Sequence, residues 1–165
     1  MRIAYADPPY LGQAHKYKNH SDYNGEVDHT ELIARLKSEF SDGWALSASA
    51  SSLSEILALI PDARIAVWCK SNAMPVPNQR ITWSWEAVLF KDARPNQLHT
   101  RDYIRDYLVS GHKGGFLGGS ILGEKPKEFC YWLFGLLGLK PEDEFVDLFP
   151  GSGAVTKYWE QWCSR

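Results

Sequence analysis

Two consecutive prolines, Pro8 and Pro9, stop the first apolar run of the chain, Arg2–Ala6, and limit what can follow it. Neither proline has a backbone N–H, so the run cannot continue as a paired strand, and the main chain there offers carbonyl acceptors on a stiff bend. Asp7 on one side adds carboxylate oxygens, and Tyr10 on the other adds a flat aromatic face. Together they make an acceptor-only cradle with an aromatic lid. Such a cradle suits the exocyclic amino group of a planar heterocycle: two acceptors take its two N–H donors while the nitrogen lone pair points at an electrophile. Asp-Pro and Pro-Pro also make ordinary turns after strands, so the tetrapeptide alone leaves both readings open.

A second motif lies near the other end. Glu144-Phe145-Val146-Asp147-Leu148-Phe149 reads as a short apolar strand that runs into Pro150-Gly151-Ser152-Gly153 and then a helical stretch, 154–162. Strand, glycine turn and helix form a nucleotide-binding corner. The glycines permit a tight turn and close ligand approach, and the N–H groups of the helix start face the ligand.

Between the motifs, apolar periodicity alternates strand and helix. Strands are predicted at 44–49, 65–70 and 80–90, and helices at 31–40, 52–59, 101–109 and 127–137. Asp28 or Thr30 caps the first helix, whose Leu32, Leu36 and Phe40 recur at helical spacing. Residues 11–28 read as a polar loop, and 91–123 as an irregular, glycine-rich stretch. Trp83, Trp85 and Phe90 read as core packing rather than base stacking, and Trp159 and Trp162 as packing of the last helix. Alternating βα units predict an α/β fold with a mostly parallel sheet and helices on both faces. Ligands of such sheets bind beyond the carboxyl ends of the strands. Both motifs stand at such ends, so they share one cleft if strands 2–6 and 145–149 are neighbours.

The chain has 165 residues, 44% of them hydrophobic, which is enough for one domain spanning 1–165 with a real core and excludes a disordered segment. No apolar run is long enough to span a bilayer, and residues 1–5 enter a strand directly, with no signal peptide visible. Cys69, Cys130 and Cys163 are odd in number and widely spaced, which suits neither a disulfide framework nor a zinc site; a reducing cytoplasm and no metal are expected. The net charge of −2 excludes a strongly basic protein, so a nucleic-acid substrate has to be met by a local basic patch.

The motifs together resemble the S-adenosylmethionine-dependent amino-methyltransferases of DNA. The family's catalytic tetrapeptide matches Asp7-Pro8-Pro9-Tyr10, and its cofactor motif matches Asp147-Leu148-Phe149-Pro150-Gly151-Ser152-Gly153. Glu124-Lys125-Pro126 and the amphipathic run after it resemble the Lys-Pro segment that precedes the glycine motif. The catalytic motif comes first, as in the permuted, beta-type order of small bacterial or phage enzymes. The resemblance covers residues 3–162 and implies a reduced Rossmann-like methyltransferase fold. It further implies DNA as substrate, S-adenosylmethionine as cofactor and adenine as target base. By the same resemblance Asp7, Pro8, Pro9 and Tyr10 are catalytic. Ala6, Asp7, Lys125, Pro126, Asp147, Phe149, Gly151, Ser152 and Gly153 bind the cofactor. For Lys125, a place near the methionine carboxylate and a solvated lysine at a helix start both stand. Lys16, Lys18, Arg94, Arg101, Arg105 and Lys113 are candidate phosphate contacts, with solvated surface charge as the alternative, and 91–123 stands where target-recognition elements occur.

Three further expectations follow. A ribose-binding carboxylate ordinarily comes on the order of 20 residues after the glycines. Here only residues 154–165 follow, and Glu160 in mid-helix is their one carboxylate side chain, so the last two strands of the family sheet are expected to be absent. That leaves the strand at 145–149 as a sheet edge, which a homodimer would cover. A cytosine enzyme places the same amino group in the same cradle, although Asp rather than Ser at the first motif position leans towards adenine. An inactive relative that binds nucleic acid or a partner is the reading from a different class.

Overall fold

The computed structural model describes residues 1–12, 14, 25–73, 75, 78–95, 103–111 and 124–165. Its strands are β1 (Arg2–Ala6), β2 (Gly43–Ser49), β3 (Arg64–Lys70), β4 (Trp85–Lys91), β5 (Tyr107–Ser110) and β6 (Glu144–Asp147). Its helices are α1 (His29–Glu39), α2 (Leu53–Leu59), α3 (Lys127–Leu136) and α4 (Ala154–Cys163). The strands form one sheet in the order β5-β3-β4-β2-β1-β6. β1 runs parallel to β2 and β6, and β3 runs parallel to β5, while β4 is antiparallel to both of its neighbours. The expected mixed α/β architecture with a mostly parallel sheet is present.

Alternation along β1 sets the two layers. Ile3 and Tyr5 point to one face, where Phe129, Leu133 and Phe134 of α3 and Val155 of α4 cover them. Ala4 and Ala6 point to the other, against Leu32, Ile33 and Leu36 of α1 and Ile56 of α2. Strands buried on both faces read as continuous apolar runs, as β1 and β2 do. α1 starts where Asp28 accepts from the backbone N–H groups of Thr30 and Glu31 at 2.8 and 3.1 Å, so it begins two residues before the predicted start. Such a cap stabilises a helix by about 1 kcal/mol. Trp159 and Trp162 pack α4 against the core as expected.

Three expectations need correction. The predicted strand 80–90 is shorter and reversed. Only Trp85–Lys91 pairs, antiparallel, because the connection from β3 carries no crossover helix among its described residues, and a parallel return needs one. Trp83 lies outside the strand with 53% of its surface exposed, and Trp85 is exposed as well, so only Phe90 of that group is core. The described part of the predicted helix 101–109 is not helical: Tyr107–Ser110 is a strand. The open edge of β3 supplies it with partners, including Val67 N–H to the Asp106 carbonyl at 2.9 Å and Ser71 N–H to the Ser110 carbonyl at 3.1 Å. Non-local pairing overrides local helical tendency there.

Candidate active site at the carboxyl edge of the sheet

The two sequence motifs meet because β1 and β6 are neighbours. Tyr5 and Asp147 are in register, and Leu148 N–H donates to the Tyr5 carbonyl at 2.9 Å, one residue beyond β6. The cradle that follows β1 therefore stands beside the turn that follows β6. Asp147 Oδ1 accepts from Phe149 N–H at 3.2 Å, while Asp147 Oδ2 is buried and has no hydrogen-bond partner among the described residues. Burial pushes this carboxyl up to about 6; the Phe149 N–H opposes that and the Asp7 carboxylate adds to it. Gly151 and Gly153 take φ of +48° and +73°. A Cβ at Gly153 meets nothing within 4 Å, so that glycine answers a backbone requirement and leaves open space above the start of α4.

The cradle itself is built over an ionic cluster. Lys125 Nζ lies 2.9 Å from Asp7 Oδ2 and 3.2 Å from Glu86 Oε2. The second oxygen of Glu86 pairs with the Lys70 ammonium, and the Tyr10 hydroxyl is hydrogen-bonded to Glu86. The Lys125 side chain is 6% exposed, and its ammonium lies 5.7 and 5.5 Å from the ring centroids of Trp68 and Phe129. Asp7 keeps 22% of its side chain exposed, so it forms the open side of the cluster. Pro8 behind it is buried, and Pro9 and Tyr10 are half-buried.

Position in the fold explains each member. Asp7 follows the carboxyl end of β1. Lys70 ends β3. Lys125 precedes Pro126, which disfavours the α region for the residue before it and keeps Lys125 out of the helix. Glu86 arrives from the opposite direction: antiparallel β4 pairs it with Ser49 and Trp68, at the carboxyl ends of β2 and β3.

Two carboxylates face two ammonium groups, and each shift follows from that arrangement. Burial alone raises Glu86, but Lys125 and Lys70 hold it down at about 2. Burial alone depresses Lys125, yet Asp7 and Glu86 more than offset this and place it well above the ordinary lysine range. Burial also raises Asp7 above its ordinary value, with Lys125 acting against the shift and Glu86 with it. Tyr10 is likewise held in its hydroxyl form by burial.

The candidate residues thus separate. Asp7, Pro8, Pro9, Tyr10, Lys125, Asp147, Phe149, Gly151, Ser152 and Gly153 stand at one edge of the sheet. Ala6 and Pro126 are buried beside them, so their outward contribution is confined to the backbone. Lys125 is not a solvated lysine at a helix start, since it is buried and the Asp7 and Glu86 carboxylates hold its charge. Arg94 does not belong to a nucleic-acid surface at this edge. It lies at the amino-terminal edge, where its guanidinium grips Asp143 at 2.8 Å through two nitrogens and donates to the Gly138 carbonyl. Arg105 is exposed, with its guanidinium on the Tyr107 hydroxyl at 2.6 Å. Lys16, Lys18, Arg101 and Lys113 lie outside the described residues. Glu86 and Lys70 were not foreseen from the sequence. The available signal was a carboxylate inside the apolar run of β4, which a folded core admits only with partners.

Among solved structures, the chain is similar to M1.HpyAVI in complex with SAM, with a TM-score of 0.66 and 19% identity over 98% of this chain and 77% of that one. It is also similar to a second structure of M1.HpyAVI, with a TM-score of 0.62 and 17% identity over 98% of this chain and 76% of that one. Likeness at this identity is likeness of fold. No family model matches the chain, and no curated protein matches it in sequence.

Proposed function

We propose that the protein transfers a methyl group from S-adenosylmethionine to the exocyclic amino group of adenine in DNA, with its motifs in the permuted, beta-type order. The observation that carries this reading is the β1–β6 pairing, which sets Asp7-Pro8-Pro9-Tyr10 beside Asp147 and the glycine turn. The fold likeness to a protein solved with SAM supports it.

The residues present fit that cofactor. A buried carboxylate oxygen with no partner among the described residues calls for a cationic donor, and the methionine ammonium of S-adenosylmethionine is one. The open space at Gly153 admits close approach at the start of α4. Bound there, the cofactor supplies an electrophilic methyl group on a sulfonium. The rest falls to the chain. Asp7 and the Pro8 carbonyl accept the two N–H donors of the amino group, which turns its lone pair out of the ring plane and fixes its direction. Alignment of this kind supplies a large part of a rate gain. The Asp7 carboxylate is the acceptor nearest the proton that the amino group gives up. Tyr10 gives the ring a stacking face, which requires the base to be flipped out of the duplex. Lys16, Lys18, Arg101, Arg105 and Lys113 are assigned to phosphate contacts, and 91–123 to a short or loose recognition site. β6 is a sheet edge, and a homodimer is the arrangement that would cover it; light scattering that reads a monomer counts against that assembly.

The test is incubation with DNA and methyl-labelled S-adenosylmethionine, followed by digestion and identification of the labelled nucleoside, with Asp7→Ala as control. Methyladenine that vanishes in the variant supports the reading. Methylcytosine reassigns the base, and absence of label from folded protein favours a binding module.

A further inference from the structure

Glu86 is the member of the cluster to which the proposed reaction gives no task, yet it has the most partners: Lys70, Lys125 and the Tyr10 hydroxyl. Asp7 and Glu86 share Lys125 from two sides, at 2.9 and 3.2 Å. An amino group that docks on Asp7 Oδ2 has to compete with that ammonium for the same oxygen. A buried cation that loses its only anion is strongly destabilised, so a lysine paired with Asp7 alone would resist substrate. The ammonium carries three donors and already points one at Glu86. It can release Asp7 without becoming an unpaired charge.

Resting on the reading of Asp7 given above, we propose that Glu86 is a positioning residue: it takes over the Lys125 ammonium when the substrate amino group docks on Asp7. Lys70 anchors Glu86 for this role, and the Tyr10 hydroxyl ties the stacking ring to the same carboxylate. No covalent step is involved; one hydrogen bond is exchanged for another.

Glu86→Gln keeps the shape and an acceptor for Tyr10 but removes the charge that receives Lys125. The expected result is a fall of about tenfold or more in kcat/KM for DNA with cofactor affinity by calorimetry unchanged, since Glu86 is assigned no contact with cofactor. The single variant leaves two ammonium groups, Lys125 and Lys70, balanced by the one carboxylate of Asp7. The double variant Lys70→Met with Glu86→Gln restores charge balance, and is expected to melt near wild type and to show the same fall. Either variant, folded and transferring at the wild-type rate, overturns the proposal.

A second measurement needs no turnover. The carboxyl carbon of Asp7 is titrated by NMR in Lys70→Met and in the double variant, which differ only at residue 86, because Lys70 itself lowers Asp7. Asp7 is faced by Lys125, Glu86, Lys70, Tyr5, Tyr10 and Asp147. With Glu86 neutral, Lys125 settles on Asp7 and the midpoint falls. An unchanged midpoint shows that the two carboxylates do not share the lysine and ends the proposal. If wild type transfers no methyl group, the function proposed above fails while this titration still decides the role of Glu86.

Discussion

The Lys125 ammonium stands 2.9 Å from Asp7 Oδ2, bringing a residue just ahead of α3 into contact with one just past β1. The contact binds the lysine to the carboxylate that the proposed chemistry depends on, while Glu86 holds the same ammonium from the other side at 3.2 Å. The two residues cannot be altered independently, and this coupling sets the first two predictions.

Asp7→Ala removes both the acceptor for the amino group and one anion of Lys125. Loss of methyl transfer by about 10²–10⁴-fold is expected, the range for a positioned acid–base group. Stability falls by only about 1–2 kcal/mol, because Glu86 keeps the ammonium paired. Label incorporation and urea unfolding of the same preparation check the two halves. A variant that unfolds outright would mean that Glu86 does not hold the lysine alone.

Lys125→Met keeps an apolar stem of similar reach and deletes the charge. Lys125 pulls the Asp7 carboxyl down against a burial effect that raises it, so removing the lysine moves that carboxyl further up. If transfer needs Asp7 ionised, the acid limb of the kcat/KM profile shifts to higher pH in the variant. A limb that stays in place would show that Asp7 ionisation does not govern the profile.

The local parts of this design were legible in the sequence. Pro8 and Pro9 had to end β1, Gly151 and Gly153 had to turn the chain after β6, and Asp28 or Thr30 had to cap α1, since each acts through its own neighbours in the chain. The non-local parts were not. β5 exists because β3 offers it an edge, and that pairing is invisible to periodicity. Glu86 reaches the site because β4 inserts antiparallel between β3 and β2, which places the beginning of one strand at the ends of two others. Arg94 looked like a phosphate contact because its partner, Asp143, is distant in sequence and adjacent only in the fold.

That last pair makes a stability prediction. Asp143 is 1% exposed at its side chain, receives Arg94 and the N-terminal ammonium, and is held at about 2 despite burial that would raise it. A free aspartate titrates near 3.9, so the folded value is depressed. The stability this contributes, about 2–3 kcal/mol, is therefore present above about pH 4 and is lost as pH falls towards 2. Arg94→Ala is expected to cost about 3 kcal/mol near neutral pH, with DNA affinity unchanged. The difference between wild type and variant in denaturant midpoints shrinks on acidification from about pH 5 towards 2. A difference independent of pH would place the effect in packing rather than in the ion pair.

Asp147 runs in the opposite sense. Its carboxyl is pushed up to about 6 and one of its oxygens is buried without a partner among the described residues, so its ionised form is a cost to the folded chain at neutral pH. A raised carboxylate makes the folded state bind more protons than the unfolded one between about pH 4 and 6, and stability declines as pH rises through that window. Asp147→Asn removes the ionisation and is expected to stabilise the ligand-free protein by about 1–3 kcal/mol at pH 7, with little effect near pH 4. It also removes the anion assigned to the cofactor's ammonium, so affinity for S-adenosylmethionine falls by about tenfold or more, as for a lost charge-assisted hydrogen bond. On the proposed reading, Asp147 is a binding group kept at the expense of stability. Calorimetry and thermal melting of the variant are the check. A gain in stability with full affinity would mean that the oxygen is orphaned for some reason other than this ligand, while a loss of both would assign Asp147 to holding the turn.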